Sequence, residues 1–364
     1  MEKVKINSRQ FAILVILYTI GTTILIAPSS MAGQAKQDAW LAAIFGLGAS
    51  LLLVTMYNAL GKLMPGLTLV EMMEKLLGRW IGKVVALSFI YLTVVTAGEL
   101  LYIVGEFMVN QIMPETPLVA ISILFVTIVI FGVRLGIESI SRSAEIFFPV
   151  FLLLFIVLVV FVSPQIKFQN IEPVFEVGIL PIIAAALHFI SIFCMSAVVL
   201  LMIYPSSTNQ PEAARRAFYK GLVIGGIVLI IIIMLSILVL GASSTARHLY
   251  PSYLLGKKIN IGNFLQRIEA IMGIMWIITI YFKMTLYFYA SVTGLAQILK
   301  LKEKRALTLP LGMLLVVISM IVHPDVIHSY VYDKKIWPPY VATYGVVLPL
   351  ILLVIAKLRQ LKQK

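Results

Sequence analysis

Long apolar runs alternate with short polar breaks along the chain. Their spacing predicts ten membrane-length segments, at about 11–31, 38–60, 81–108, 117–132, 143–163, 179–204, 218–241, 265–291, 307–323 and 338–358. Most reach the roughly 20 residues a helix needs to cross about 30 Å of hydrocarbon. They are read as helices because lipid offers no partner to an unpaired backbone amide. The segments 117–132 and 307–323 are short and leave little room for tilt. The pattern is that of an all-α polytopic membrane protein, with 1–364 forming a single transmembrane domain.

The polar breaks carry structure of their own. Pro65-Gly66 marks a turn, and over 67–83 apolar residues recur at helical spacing with Glu71, Glu74, Lys75 and Arg79 between them. This predicts an amphipathic helix on the cytoplasmic membrane face, with a solvated connector as the plainer alternative. The 164–178 connection, with Asn170, Glu172, Pro173 and Glu176, is expected to hold a short extracellular helix. The first segment also imitates a secretory signal: Lys3, Lys5 and Arg9 precede the apolar run 11–27, and Gly33-Gln34-Ala35 supplies small residues. A signal needs an unbroken apolar stretch, and Gly21-Thr22-Thr23 interrupts this one.

Composition sharpens the class. Hydrophobic residues make up 61% of the 364 and charged residues 12%, about half the roughly 25% charged content of a soluble domain. A formal net charge of +13 would suggest nucleic acid if it formed one patch, but the basic residues punctuate the apolar runs. One set of alternate polar regions holds twenty lysines and arginines, including Lys62, Lys75, Arg134, Arg215, Lys302 and Lys357. The opposite set holds eight: Lys36, Lys167, Arg247, Lys257, Lys258, Arg267, Lys334 and Lys335. The positive-inside rule then puts both termini, Lys364 included, in the cytoplasm. The single cysteine, Cys194, excludes an intramolecular disulfide and a cysteine-based metal cluster.

Ten spans divide into five and five, about 11–163 and 179–358. If these are inverted repeats, spans 1 and 6 correspond and both break near the midplane. Span 1 carries Gly21-Thr22-Thr23, with Pro28-Ser29-Ser30 beyond. Span 6 begins at Pro181, turns polar through His188, Ser191, Cys194 and Ser196, and ends near Pro205 without a glycine. Half-helix N-termini attract a carboxylate and C-termini attract an ammonium or a metal cation, which suits a free amino acid. Close helix packing through small residues is the competing explanation.

A charge within the bilayer costs about 2.5–3.5 kcal/mol on insertion scales, so each one calls for a reason. Glu99 and Glu106 stand seven residues apart on one face of span 3. Glu106 is close enough to the outer end for solvation to explain it. In span 8, Lys283 shares a polar face with Trp276, Thr279 and Tyr287 and is too central to snorkel easily. Glu145 is expected to pair with Arg142 at a boundary. His188 reads as a hydrogen-bonded interior histidine, with proton relay as the alternative, and Cys194 as a small apolar residue. His323, Asp325, His328 and Asp333 fall in or beside an expected extracellular loop without metal-ligand spacing. No nucleophile elbow, phosphate loop or paired-carboxylate arrangement is visible, so no enzyme chemistry, cofactor or metal is expected.

Five stretches carry a resemblance to a known family: 11–28 with its central glycine; Gln37-Asp38-Ala39-Trp40; Leu77-Gly78-Arg79-Trp80-Ile81-Gly82; Asn170-Ile171-Glu172-Pro173-Val174 followed by Gly178 and Pro181; and Arg267-Ile268-Glu269 followed by Trp276. In order and spacing the chain resembles the B subunits of spore germinant receptors, within the amino acid–polyamine–organocation transporter superfamily. The resemblance implies a LeuT-type fold with broken helices 1 and 6, residence in the inner membrane of a spore and recognition of a small-molecule nutrient. It also implies assembly with a large A subunit and a lipoprotein C subunit. Pockets of such proteins draw on spans 1, 3, 6 and 8. The residues expected to line one here are Gly21, Thr22 and Thr23, Val95 and Glu99, Ser191 and Phe193, and Lys283 and Tyr287. A buried lysine calls for a carboxylate partner, and a Glu99–Lys283 pair, direct or through one water, is the expectation. Proton-coupled transport of an amino acid or similar solute is the alternative function.

Overall fold

A computed structural model describes residues 5–258 and 269–362, with side chains to Arg359. Lys3, Arg267, Ile268, the expected first turn of span 8 at 265–268 and Lys364 lie outside the described residues.

Span 1 opens where Asn7 and Gln10 form a capping box, each side chain accepting from the other's backbone amide, at 2.8 and 3.0 Å. It comprises two helices, Ser8–Ile20 and Thr23–Ala35, and a 3₁₀ turn at Lys36–Asp38 leads into span 2, Ala39–Leu63. Spans 3, 4 and 5 are Arg79–Gln111, Leu118–Leu135 and Ile137–Val162. Span 6 is Ile179–Phe193 continued by a 3₁₀ helix, Met195–Met202, and span 7 is Pro211–Leu240. Glu269–Ile298 and Thr308–Ile321 are spans 8 and 9, and Val326–Arg359 is span 10.

Among the described residues nine helices are long and apolar enough to cross a membrane, one of them the 41-residue Thr23–Leu63. At about 1.5 Å per residue that helix is roughly twice the thickness of the hydrocarbon, and it bends at Lys36–Asp38. With Ser8–Ile20 it supplies two crossings, so ten spans result. Spans 4 and 5 are joined by Gly136 alone, whose φ of +91° only glycine adopts without strain.

Burial orders the bundle. In spans 6 and 8, 78% of the most apolar stretch is buried, against 22% in spans 5 and 9, so the former are central and the latter face lipid. Nearly every residue from Phe11 to Ile20 in span 1 is buried as well. Leu153, Met313 and Ile321 on the outer spans are exposed, as lipid-facing side chains should be. The start of the chain is pinned to the end of span 6: the Ile6 amide donates to the Ser207 carbonyl at 2.8 Å, and the Asn209 amide to the Ile6 carbonyl at 3.0 Å.

Several connections differ from their sequence reading. The amphipathic helix is Leu69–Leu77, shorter than 67–83, because span 3 already begins at Arg79. A Thr68–Glu71 capping box starts it, and its apolar side (Leu69, Val70, Met72, Met73, Leu76) is buried against spans 3, 8 and 10, not laid on lipid. The 164–178 connection holds 3₁₀ turns, Ser163–Gln165 and Phe168–Ile171, and no α-helix. Pro164 and Pro173 disfavour one, and the segment is held instead by span 7, where the Leu238 carbonyl accepts from Asn170 Nδ2 at 2.8 Å. The 7–8 connection contains two short helices, Ala242–Arg247 and Pro251–Lys258.

Span 10 begins at Val326, well before the expected 338, because Asp325 caps it by accepting from the His328 amide at 2.7 Å. Two π-helical turns, Tyr332–Ile336 and Thr343–Val347, interrupt it. His328, Asp333, Lys334 and Lys335 therefore belong to a helix and not to a loop. At the foot of span 5, Arg142 pairs with Glu138 one turn earlier instead of Glu145. Glu145 accepts from Gln10 Nε2 of span 1 at 3.0 Å.

Candidate ligand-binding site

The break in span 1 is built by glycine. Gly21 takes φ +25° and ψ −120°, outside the helical region, and closes the first helix by donating to the Leu17 carbonyl at 3.0 Å. Its own carbonyl points sideways and accepts from Thr279 Oγ1 of span 8 at 3.3 Å. A Cβ on Gly21 would lie 2.3 Å from Lys283 Cδ, so no other residue fits without moving that lysine.

The break in span 6 needs no glycine. Its helix ends at Phe193, Cys194 leaves helical geometry at φ −120°, and the carbonyls freed there are taken by side chains of other spans. The Ser196 carbonyl accepts from Tyr18 Oη at 2.7 Å, and Met195's from Tyr57 Oη at 3.3 Å. The Ile192 carbonyl accepts from Lys283 Nζ at 3.3 Å.

Lys283 joins the two breaks. Besides Ile192 it donates to Thr22 Oγ1 at 3.2 Å, and its Nζ lies 5.5 Å from the centre of the Tyr18 ring. A helix C-terminus carries about half a negative charge, which favours a cation there. The tyrosine face adds a further attraction. The lysine is 3% exposed, and among the described residues no carboxylate lies within ion-pairing distance of it. The direct Glu99–Lys283 pair expected from sequence is therefore absent.

Glu99 has another partner. Its Oε1 lies 3.5 Å from Nε2 of His323, which is buried in the short connection between spans 9 and 10. Asp333 likewise approaches His188, Oδ2 to Nε2 at 3.5 Å, across spans 10 and 6. Glu99, Glu106 and Asp333 all line a narrow cleft that opens between spans 3 and 10 beneath the 7–8 connection. Tyr250 of that connection borders it too, and burial holds its phenol above the ordinary range, so it stays a neutral donor. On the opposite face a larger vestibule lies among the 2–3, 4–5 and 8–9 connections, with Glu71, Glu138, Lys304 and Arg305 on its walls.

The other expected residues divide. Thr23 Oγ1 is buried beside the break and makes no hydrogen bond among the described residues. Tyr287 is buried with its ring 5.6 Å from that of Tyr18. Ser191 Oγ turns inward along its own helix to the His188 carbonyl at 2.6 Å, and Phe193 stacks on Phe189 at 4.9 Å. Val95 is partly exposed one turn before Glu99. Tyr18, Tyr57 and Ile192 belong to the site but were not among the expected lining. For Tyr18 and Tyr57 a tyrosine within an apolar span was the sequence signal; Ile192, which takes part through its backbone carbonyl, left none.

Residues 5–326 match the family model described as "Spore germination protein". Spore germination protein KB of Bacillus subtilis (strain 168) is 27% identical over 360 residues, covering 98% of this chain and 95% of its own. Spore germination protein B2 of the same strain is 21% identical over 333 residues, covering 90% and 89%. Among solved structures, Mhp1, a nucleobase-cation-symport-1 family transporter in a closed conformation with bromovinylhydantoin bound, superposes with a TM-score of 0.72 at 12% identity, over 96% of this chain and 78% of that one. MhsT in complex with L-phenylalanine gives 0.64 at 14% identity, over 98% and 99%. The fold is that of the LeuT-type transporters.

Proposed function

The chain belongs to the spore germination protein family, and on that premise we propose that it is the nutrient-sensing membrane subunit of a germinant receptor. A small molecule, an amino acid in the first instance, binds between the broken helices and biases the bundle between two states. The observation that carries this reading is Lys283, whose ammonium bridges Thr22 at the first break and the Ile192 carbonyl at the second. A buried lysine without a carboxylate partner is an expensive way to hold two helices together. It is a good way to meet a ligand carboxylate while the Gly21-Thr22-Thr23 break and Tyr18 shape the rest of the pocket. Ligand binding changes the state only if affinity differs between the two states. By the family resemblance the subunit works with an A subunit and a lipoprotein C subunit in the inner membrane of the spore.

A second reading, a proton-coupled carrier of amino acids or similar solutes, draws support from recesses on opposite faces, the cleft bordered by Glu99 and Asp333 and the vestibule bordered by Lys304 and Arg305. The full-length chain in nanodiscs should bind at least one member of a panel of amino acids, sugars and nucleosides, read by thermal shift and calorimetry. The same ligand should bind Lys283→Met much more weakly. A panel without any binder, or undiminished binding by that variant, would overturn the site. Uptake of the identified ligand into proteoliposomes under a proton gradient would favour the carrier, and binding without uptake the sensor.

A further inference from the structure

The Glu99–His323 contact does not end at His323. The imidazole lies between two rings, with Tyr102 of span 3 and Tyr332 of span 10 each 5.2 Å away centre to centre. Its Nδ1 is 3.0 Å from Nδ1 of His328, which is exposed in the first turn of span 10. Three titratable groups thus run in line from an exposed position, through a residue 3% exposed, to a carboxylate 8% exposed that borders the cleft.

We infer that His328, His323 and Glu99 form a proton relay from the face carrying the 9–10 connection to the carboxylates of the cleft. Only one hydrogen fits between two ring nitrogens 3.0 Å apart, so one Nδ1 donates and the other accepts. With Glu99 ionised, His323 turns an Nε2–H toward Oε1 and its bare Nδ1 accepts from His328 Nδ1–H. A proton arriving at His328 Nε2 makes that ring a cation. His328 then passes its Nδ1 proton to His323 Nδ1, and His323 releases its Nε2 proton to Glu99. Charge and atoms balance: one proton enters, the carboxylate becomes a carboxylic acid, and each imidazole is left neutral in its other tautomer. The Nε2–Oε1 separation of 3.5 Å closes to hydrogen-bond length as Glu99 turns toward the ring.

The groups facing the relay define its surroundings. Asp333 of span 10 and Lys283 of span 8 both lie within electrostatic reach of Glu99, as do the phenols of Tyr332 and Tyr340. Glu106 and Asp325 lie near Tyr102. Protonating Glu99 leaves Asp333 as the remaining nearby carboxylate facing Lys283, so the relay feeds the electrostatics of the broken-helix site without touching it. A buried histidine–glutamate pair kept only for packing has no need of an exposed histidine in line behind it.

The full-length chain in nanodiscs is examined by infrared difference spectroscopy after a rapid drop in pH, with Glu99→Gln identifying the Glu99 carboxylic acid band. In the native chain the band should follow the drop. In His328→Gln it should reach the same amplitude at least about tenfold more slowly, and imidazole in the buffer should restore the native rate. His323→Gln should be slowed as well and not rescued. An unchanged rate in both variants would overturn the relay. So would a lost amplitude or a failed imidazole rescue in His328→Gln, or a native chain without a Glu99 band. Because no nutrient enters the experiment, its outcome is independent of the ligand site.

Discussion

Burying Lys283 without a carboxylate costs on the order of 2.5–3.5 kcal/mol. Its hydrogen bonds to Thr22 and Ile192 return about 1 kcal/mol each. Lys283→Met, similar in length and apolar, should therefore raise the unfolding midpoint, by about 1 kcal/mol of stability, while nutrient binding is lost. Thermal unfolding and calorimetry on the same sample check both halves. Adding Glu99→Gln should not restore binding, since that carboxylate belongs to His323. A Gly21→Leu variant should reach the membrane yet fail to bind, because its side chain would enter the space of Lys283 Cδ. Retained binding there would move the site elsewhere. Val95→Phe gives a finer test of the span 3 wall, with a right-shifted dose–response expected. Gly21, Thr22 and Lys283 were legible in the sequence because each violates an apolar pattern. The histidine partners of Glu99 and Asp333 were not, since pairing between residues far apart in the sequence leaves no local trace.

At the scale of elements, pattern reading succeeded where helices face lipid and faltered where they line water. Span 10 is the clearest case. Asp333, Lys334 and Lys335 break its apolar run and suggest a loop, yet this stretch borders the cleft, where polar side chains meet no hydrocarbon. The readable signal was Asp325, a capping residue directly before Val326-Ile327. The Leu69–Leu77 helix was anticipated in kind but not in surroundings, because its buried side meets protein. Its capping box fixes where the chain turns, and Thr68 Oγ1 also meets Gln297 Oε1 of span 8 at 2.9 Å. Thr68→Ala should destabilise the protein by about 1 kcal/mol, seen as a lower midpoint in detergent with an unchanged helical circular dichroism signal.

For the whole molecule, the number of spans and the two broken helices could be read from apolar length and one glycine. The recesses on the two faces could not, because they arise where distant connections meet. The distribution of basic residues predicts that both termini face the cytoplasm and that Lys167 and Lys258 face outward. The native Cys194 is buried, so single cysteines introduced at those two positions can be labelled in its presence. Labelling from the cytoplasmic side would reverse the topology. Span 10 passes from the cleft to the opposite face through two π-helical turns. Each such turn carries one residue more than an α-helix of the same height and so offsets the faces on either side by about 100°. The helix behaves like a shaft with two angular couplings: absorbing the extra residue at Thr343–Val347 would swing Asp333 off His188 while the Leu348–Lys362 segment stayed docked. A change of winding near one face would then be felt as a rotation at the other, without any helix having to tilt.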